Sequence, residues 1–265
     1  MIFKKIKEIF TYIHHRNLSQ KEINLNFLEA CINNNISEVK YWLTSPSLKT
    51  HADLNCYSSW SLSMVLDNKN FELLEYLLSS PDLKEHADIH ARNDDIFRWA
   101  CFNNDKNLIK YILSSSTLKE HIDIHSNCGK LTTDNKPIRD GILLDLCSKL
   151  YISDYESYNC DNREILKFLL TSHELPNNLK LNDSANLVFD SVFNGAFLNK
   201  KECFKFLIIE CDLEKNSYIE NFLLKNSDDE LALEILNLFE KRNLHNELQN
   251  GLNSIPFSKM KNFKL

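Results

Sequence analysis

Leu77 to His90 reads LLSSPDLKEHADIH, and Ile112 to His125 reads ILSSSTLKEHIDIH. A diverged third copy, WLTSPSLKTHADLN, runs from Trp42 to Asn55. The triads His51, His86, His121 and Asp53, Asp88, Asp123 each advance by 35 residues. A period between about 20 and 50 residues marks stacked supersecondary units, each packing mainly on its neighbours. The copies therefore predict an all-α solenoid.

Outward from that stretch, helix pairs can be placed by punctuation and periodicity. Ser19-Gln-Lys-Glu22 forms a capping box, so a helix is expected from about Gln20 through LNFLEACINN. Asn34 or Asn35 tolerates the left-handed turn that would end it. Ser37 is the expected cap of the next helix, EVKYWLTS, which Pro46 follows. Trp60–Asp67 with Phe71–Ser79 and Asp95–Phe102 with Asn107–Ser114 repeat the arrangement. In HADIHAR the alternation reads as extended chain. Beyond the break the pairs resume in worn form: Ile142–Ile152 with Arg163–Thr171, Ala185–Asn194 with Lys201–Ile209, and Tyr218–Lys225 with Asp229–Lys241. SDYESYNCD is inserted within the fourth pair.

At these residues the chain resembles the ankyrin repeats. NLIKYILSSSTLKEHIDIH and FELLEYLLSSPDLKEHADIH look like that family's outer helix and following turn, and DDIFRWACFNND looks like its inner helix. The resemblance covers residues 20–125 well and 141–245 weakly. The TPLH signature is absent, Asn104 replaces the glycine between helices, LKE-type residues lengthen the loop, and the hairpin tip is short. The expected architecture is an ankyrin-like α-solenoid of about six helix-turn-helix pairs. Its segments are a capping amphipathic helix in residues 1–18, three well-formed repeats over 19–125, an irregular loop at 126–140, three degenerate pairs over 141–249, and a basic tail from 250 to 265. Ile2, Phe3, Ile6, Ile9, Phe10 and Ile13 give the first segment its apolar face, which suits either a cap over the stack or a membrane surface. The tail is expected to fray or to dock.

Composition narrows the function. The 265 residues contain only four glycines, from which neither phosphate-loop motif can be written. The net charge is −6; residues 1–16 and 257–265 carry +3 each, which leaves −12 on the body. Such a body repels phosphate backbones, so nucleic acid is not the expected ligand, and a protein with a basic patch is. Eight cysteines lack paired spacing, which suits reduced thiols and a cytoplasmic setting, or a host cytosol reached without a signal peptide. No apolar run reaches the length of a membrane span.

His86-Asp88-His90 and His121-Asp123-His125 could suggest zinc, but equivalent residues of stacked units sit about 10 Å apart. These side chains are therefore expected to satisfy turn backbone, and neither metal nor cofactor is expected. Asp94-Asp95 and Asp228-Asp229 fall where helices begin and read as caps. Phe27, Trp42, Leu43, Leu62, Phe71, Leu74, Leu77, Phe97, Tyr111 and Ile112 read as core. No catalytic constellation emerges, and the chain is expected not to be an enzyme.

Residues that the repeat does not need for packing carry the functional reading. The resemblance implies a concave face lined by Tyr57, Ser59, Trp60 and Ser63 of the second unit and Arg92, Asn93, Asp95, Arg98, Phe102 and Asn103 of the third. The expected activity is recognition of another protein through that face, with an effector or inhibitor role implied by the family. An alternative is a phosphorylated ligand or nucleotide near residues 126–161, held by Lys130, Lys136 and Arg139.

Overall fold

Three shared residues explain why helices follow one another so tightly here. In the computed structural model, which describes His15 and residues 17–126, 141–147, 162–194 and 200–253 (no side chains for 251–253), α1 spans Gln20–Ile32 and α2 spans Ile36–Thr44. The Asn34 N–H donates to the Cys31 carbonyl and the Asn35 N–H to Ala30, with Asn34 at φ 56°. This is the paired Schellman closure. Asn35 then accepts from the Glu38 N–H, so it caps the next helix in the same step. The motif recurs between α3 (Cys56–Asp67) and α4 (Phe71–Ser79), with Lys69 at φ 53° and Asn70 accepting from the Leu73 N–H at 3.0 Å. It recurs again between α5 (Ala91–Phe102) and α6 (Lys106–Ser114), with Asn104 at φ 53° and Asp105 accepting from the Leu108 N–H at 2.9 Å. Ser37 is therefore not the cap expected from sequence. Asn35 takes that role because it is already oriented by the turn, and Ser37 lies inside α2.

The described residues are helical and contain no strand. They fall into two compact units, Met1–Ile138 and Arg139–Leu265. In the first, each helix packs on its hairpin partner, and α3 also touches both α1 and α5. The seam is apolar: Phe27, Val39, Leu62, Val65, Leu73, Leu77, Phe97, Ile109 and Ile112 are buried. Phe71 departs from the sequence reading. It is the first residue of α4, at the end of the apolar stripe, and stands 48% exposed beside Leu74 and Tyr111.

The loops after α2, α4 and α6 repeat one hydrogen-bond set. Ser45, Ser80 and Ser115 cap the helices through their N–H groups. Their carbonyls accept from Nε2 of His51, His86 and His121 at 3.0, 2.9 and 2.8 Å. Asp53, Asp88 and Asp123 each accept from the N–H two residues on, at 2.9 Å. Ala52, Ala87 and Ile122 donate back to Trp42, Leu77 and Ile112, which ties the extended stretch to the preceding helix. The recurring histidines and aspartates thus hold backbone, as expected.

In the second unit α7 (Gly141–Cys147) packs on α8 (Asn162–Thr171) and on α9 (Ala185–Asn194), which a 3-10 turn at Leu181–Ser184 precedes. α10 (Lys200–Lys205) passes into a π-helical turn, Phe206–Glu210, and both touch α12 (Glu230–Asn253), the hairpin partner of α11 (Ser217–Lys225). Arg242 explains that junction. Its guanidinium donates to the Leu213 carbonyl and, at 3.1 Å, to the Asp212 carboxylate, which ties α12 to the left-handed Asp212 (φ 58°) that follows the π turn. The expected end of the last helix at Lys241 is corrected: α12 continues to Asn253, taking in the first residues of the expected tail. The proposed N-terminal helix over residues 2–14, nearly all of the 126–140 loop and the SDYESYNCD insertion lie outside the described residues.

Candidate functional site

α3 and α5 begin in an unusual way. Tyr57, Ser58 and Ser59 have φ of 53°, 58° and 56°, and Arg92, Asn93 and Asp94 have 57°, 59° and 60°. Each trio is a left-handed turn that runs into right-handed helix at Trp60 and at Asp95. With a Cβ on every residue, that conformation costs about 1–2 kcal/mol per position. Hydrogen bonds at the last residue of each trio hold it. The Ser59 N–H donates to the Asn55 carbonyl and its hydroxyl to Asn55 Oδ1 at 3.0 Å, while the Asp94 N–H donates to the His90 carbonyl and His90 Nδ1 to Asp94 Oδ1 at 2.8 Å. Ser59 and Asp94 are buried by this arrangement, and Tyr57, Arg92 and Asn93 are turned outward and exposed. Asp94 is therefore not a helix cap, contrary to the sequence reading. Its carboxylate serves His90, and Asp95 serves Arg98; Asp229 does cap, accepting from the Ala232 N–H at 3.1 Å.

From these turns the helices carry one outward stripe each. Trp60, Ser63 and Asp67 follow one another along α3 at helical spacing, as do Asp95, Arg98 and Phe102 along α5. Arg92 Nη1 donates to Ser63 Oγ at 3.1 Å and its Nε lies 3.9 Å from Asp95, whose other oxygen accepts from Arg98 at 2.8 Å. Ser63, Arg92, Asp95 and Arg98 thus meet in one cluster that bridges α3 and α5. Tyr57 and Trp60 lie beside it, 49% and 47% exposed. Phe102, half-buried, and Asn103 sit at the far end of α5, about 10 Å along its axis. Asn103 donates to the Trp99 carbonyl at 2.9 Å, closing its own helix. Lys130, Lys136 and Arg139 lie outside the described residues.

Sequence reasoning missed the same stripe on α1. Leu25 stands one 35-residue step before Trp60 and is also 47% exposed, and Ile32 occupies the register of Asp67 and Phe102. The repeat register itself was the signal that could have located both. Trp99 was missed as well; its indole N–H reaches Asp67 at 3.3 Å, a further tie between α3 and α5.

Burial pushes the Cys31 thiol up to about 12 and that of Cys56 to about 11, and Cys203 and Cys211 also to about 12, so all four are protonated at neutral pH. Among the described residues no three His, Cys, Asp or Glu side chains gather as a metal site requires, and no helix is long and apolar enough to cross a membrane. Comparison with family models, curated proteins and solved structures finds no match to this chain.

Proposed function

We propose that the first unit is an ankyrin-like solenoid that binds another protein through the open face of α1, α3 and α5. The observation that carries this reading is the set of large side chains on that face, Leu25, Tyr57 and Trp60, each about half exposed although the core beneath them is sealed. Burying such residues against a partner is the usual source of hot-spot energy, and the neighbouring Arg98 is of the same class. Preformed helices order the face before association, so little conformational entropy is lost on binding. The acidic body steers a partner with a basic patch toward it and turns nucleic acid away. An inhibitor or effector acting on that partner within a cytoplasm fits a chain that has binding surfaces and burial-silenced thiols.

The test is site-specific photocrosslinking. A benzophenone side chain at position 60 should capture a partner from native lysate that the same group at Lys110, on α6, does not. With the captured protein purified, Trp60→Ala should weaken binding by roughly thirtyfold, a hot-spot value. Unchanged affinity in both Trp60→Ala and Leu25→Ala, with the melting midpoint preserved, would overturn the proposal.

A further inference from the structure

The lengthened loops create a second kind of surface, different in chemistry from the open face. Between the first loop and the second lies a groove of about 360 Å³ with Leu43, Ala52, Leu54 and Leu83 in its lining and Asp53 and Glu85 on its rim. One 35-residue step on, between the second and third loops, a groove of about 240 Å³ is lined by Leu78, Ala87, Ile89 and Leu118 with Asp88 and Glu120 on its rim. The two are the same site written twice, each with room for an apolar side chain and each with acidic edges.

Three features of these grooves define an occupant. The first is spacing: stacked helices stand about 8–10 Å apart, so the grooves repeat at about that distance. A polyproline II segment rises about 3.1 Å per residue with three residues per turn, which puts side chains i and i+3 on one side about 9 Å apart. In a β-strand the same-side pair i and i+2 stands about 7 Å apart, too close to fill both. The second is an acceptor. His86 Nε2 faces the Ser80 carbonyl, which only accepts, so this nitrogen carries the hydrogen; Nδ1 is enclosed and without a partner, on a residue that lines the second groove. An occupant that reaches this nitrogen must donate to it. Backbone N–H groups of a polyproline II segment are free to do so, whereas those within an α-helix are already engaged. The third is charge: Asp53, Glu85, Asp88 and Glu120 outweigh Lys84 and Lys119 on the rims.

The geometry points to a docking site for an extended, polyproline II segment of a protein partner, carrying apolar side chains three residues apart and basic residues beside them. Each apolar side chain enters one groove, a backbone N–H meets His86 Nδ1, and the flanking cations meet the rim carboxylates.

The experiment uses the full chain and three labelled octapeptides of identical composition, followed by fluorescence anisotropy. Arg-Pro-Leu-Pro-Ala-Leu-Pro-Arg sets the leucines three apart; Arg-Pro-Leu-Pro-Leu-Ala-Pro-Arg and Arg-Leu-Pro-Ala-Pro-Leu-Pro-Arg set them two and four apart. The first should bind at least about tenfold more tightly than either isomer, and Glu85→Lys/Glu120→Lys should remove that preference without moving the melting midpoint. Trp60→Ala should leave it intact, which separates this site from the open face. Equal binding of the three peptides, binding of none of them, or loss in Trp60→Ala rather than in the rim variant would each overturn the proposal.

Discussion

Lys69 offers the sharpest check on the backbone reasoning. It holds the left-handed position between α3 and α4 at φ 53°, the place taken by Asn34 and Asn104 in the neighbouring hairpins. A residue with a Cβ pays about 1–2 kcal/mol there, whereas glycine does not, though glycine loses about 0.5–1 kcal/mol more chain entropy on folding. Lys69→Gly should therefore stabilise by about 0.5–1 kcal/mol, raising the melting midpoint by roughly 2–4 °C. Asn104→Gly should gain less, because asparagine visits this region at lower cost. Asn34→Gly should gain least or lose, since Asn34 Oδ1 accepts from the Asn70 side chain and glycine would remove that bond. Thermal and urea melts followed by circular dichroism give the ranking directly. A destabilised Lys69→Gly, or equal gains at all three positions, would refute the reasoning.

Other consequences are open to simple assays. Phe97→Ala, at a fully buried site in α5, should cost about 3–5 kcal/mol in urea unfolding. Arg242→Ala should cost about 2–3 kcal/mol, because the Leu213 carbonyl then loses a charged donor, and hydrogen exchange should rise first at residues 206–213. Burial lifts Cys31 from an ordinary 9.0 to about 12, so the folded form keeps a proton that the unfolded chain gives up. Stability from this thiol is complete below pH 9.0 and is lost as pH climbs toward about 12, which pH-resolved melts should register as a falling midpoint that Cys31→Ala flattens. The same burial predicts that iodoacetamide at pH 8 labels Cys31 and Cys203 only after denaturant is added, as read by mass spectrometry.

Much of the first unit was legible because its helix pairs are written three times. Ser19 with Glu22, the apolar spacing of FELLEYLLS and the recurrent LKEH each have a single physical meaning, and the helices lie where those signals put them. The left-handed trios were not legible: a tyrosine or an arginine carries no local preference for positive φ, and what holds it there is a bond closed at Ser59 or Asp94 four residues after Asn55 or His90. Ser37 misled because capping propensity was weighed residue by residue, whereas Asn35 is placed by the preceding Schellman turn. Phe71 misled because helical period assigns a stripe and not its end. Of the proposed binding surface, Trp60, Arg92 and Arg98 stood out by failing to repeat, while Leu25 was hidden by looking ordinary. The loop grooves were hidden differently, since the LKE residues were visible only as added length.

The residue shared between each pair of helices has an evolutionary consequence. Asn35, Asn70 and Asp105 close one helix and open the next, so the hairpin has no slack and a single inserted residue would uncouple both ends. Growth of the first unit is then confined to its opposite edge, in the segments that follow Ser45, Ser80 and Ser115. A lineage built on this scaffold can vary those segments in length and chemistry while the hairpins of the first unit stay at constant length, so innovation should accumulate along one edge of that unit.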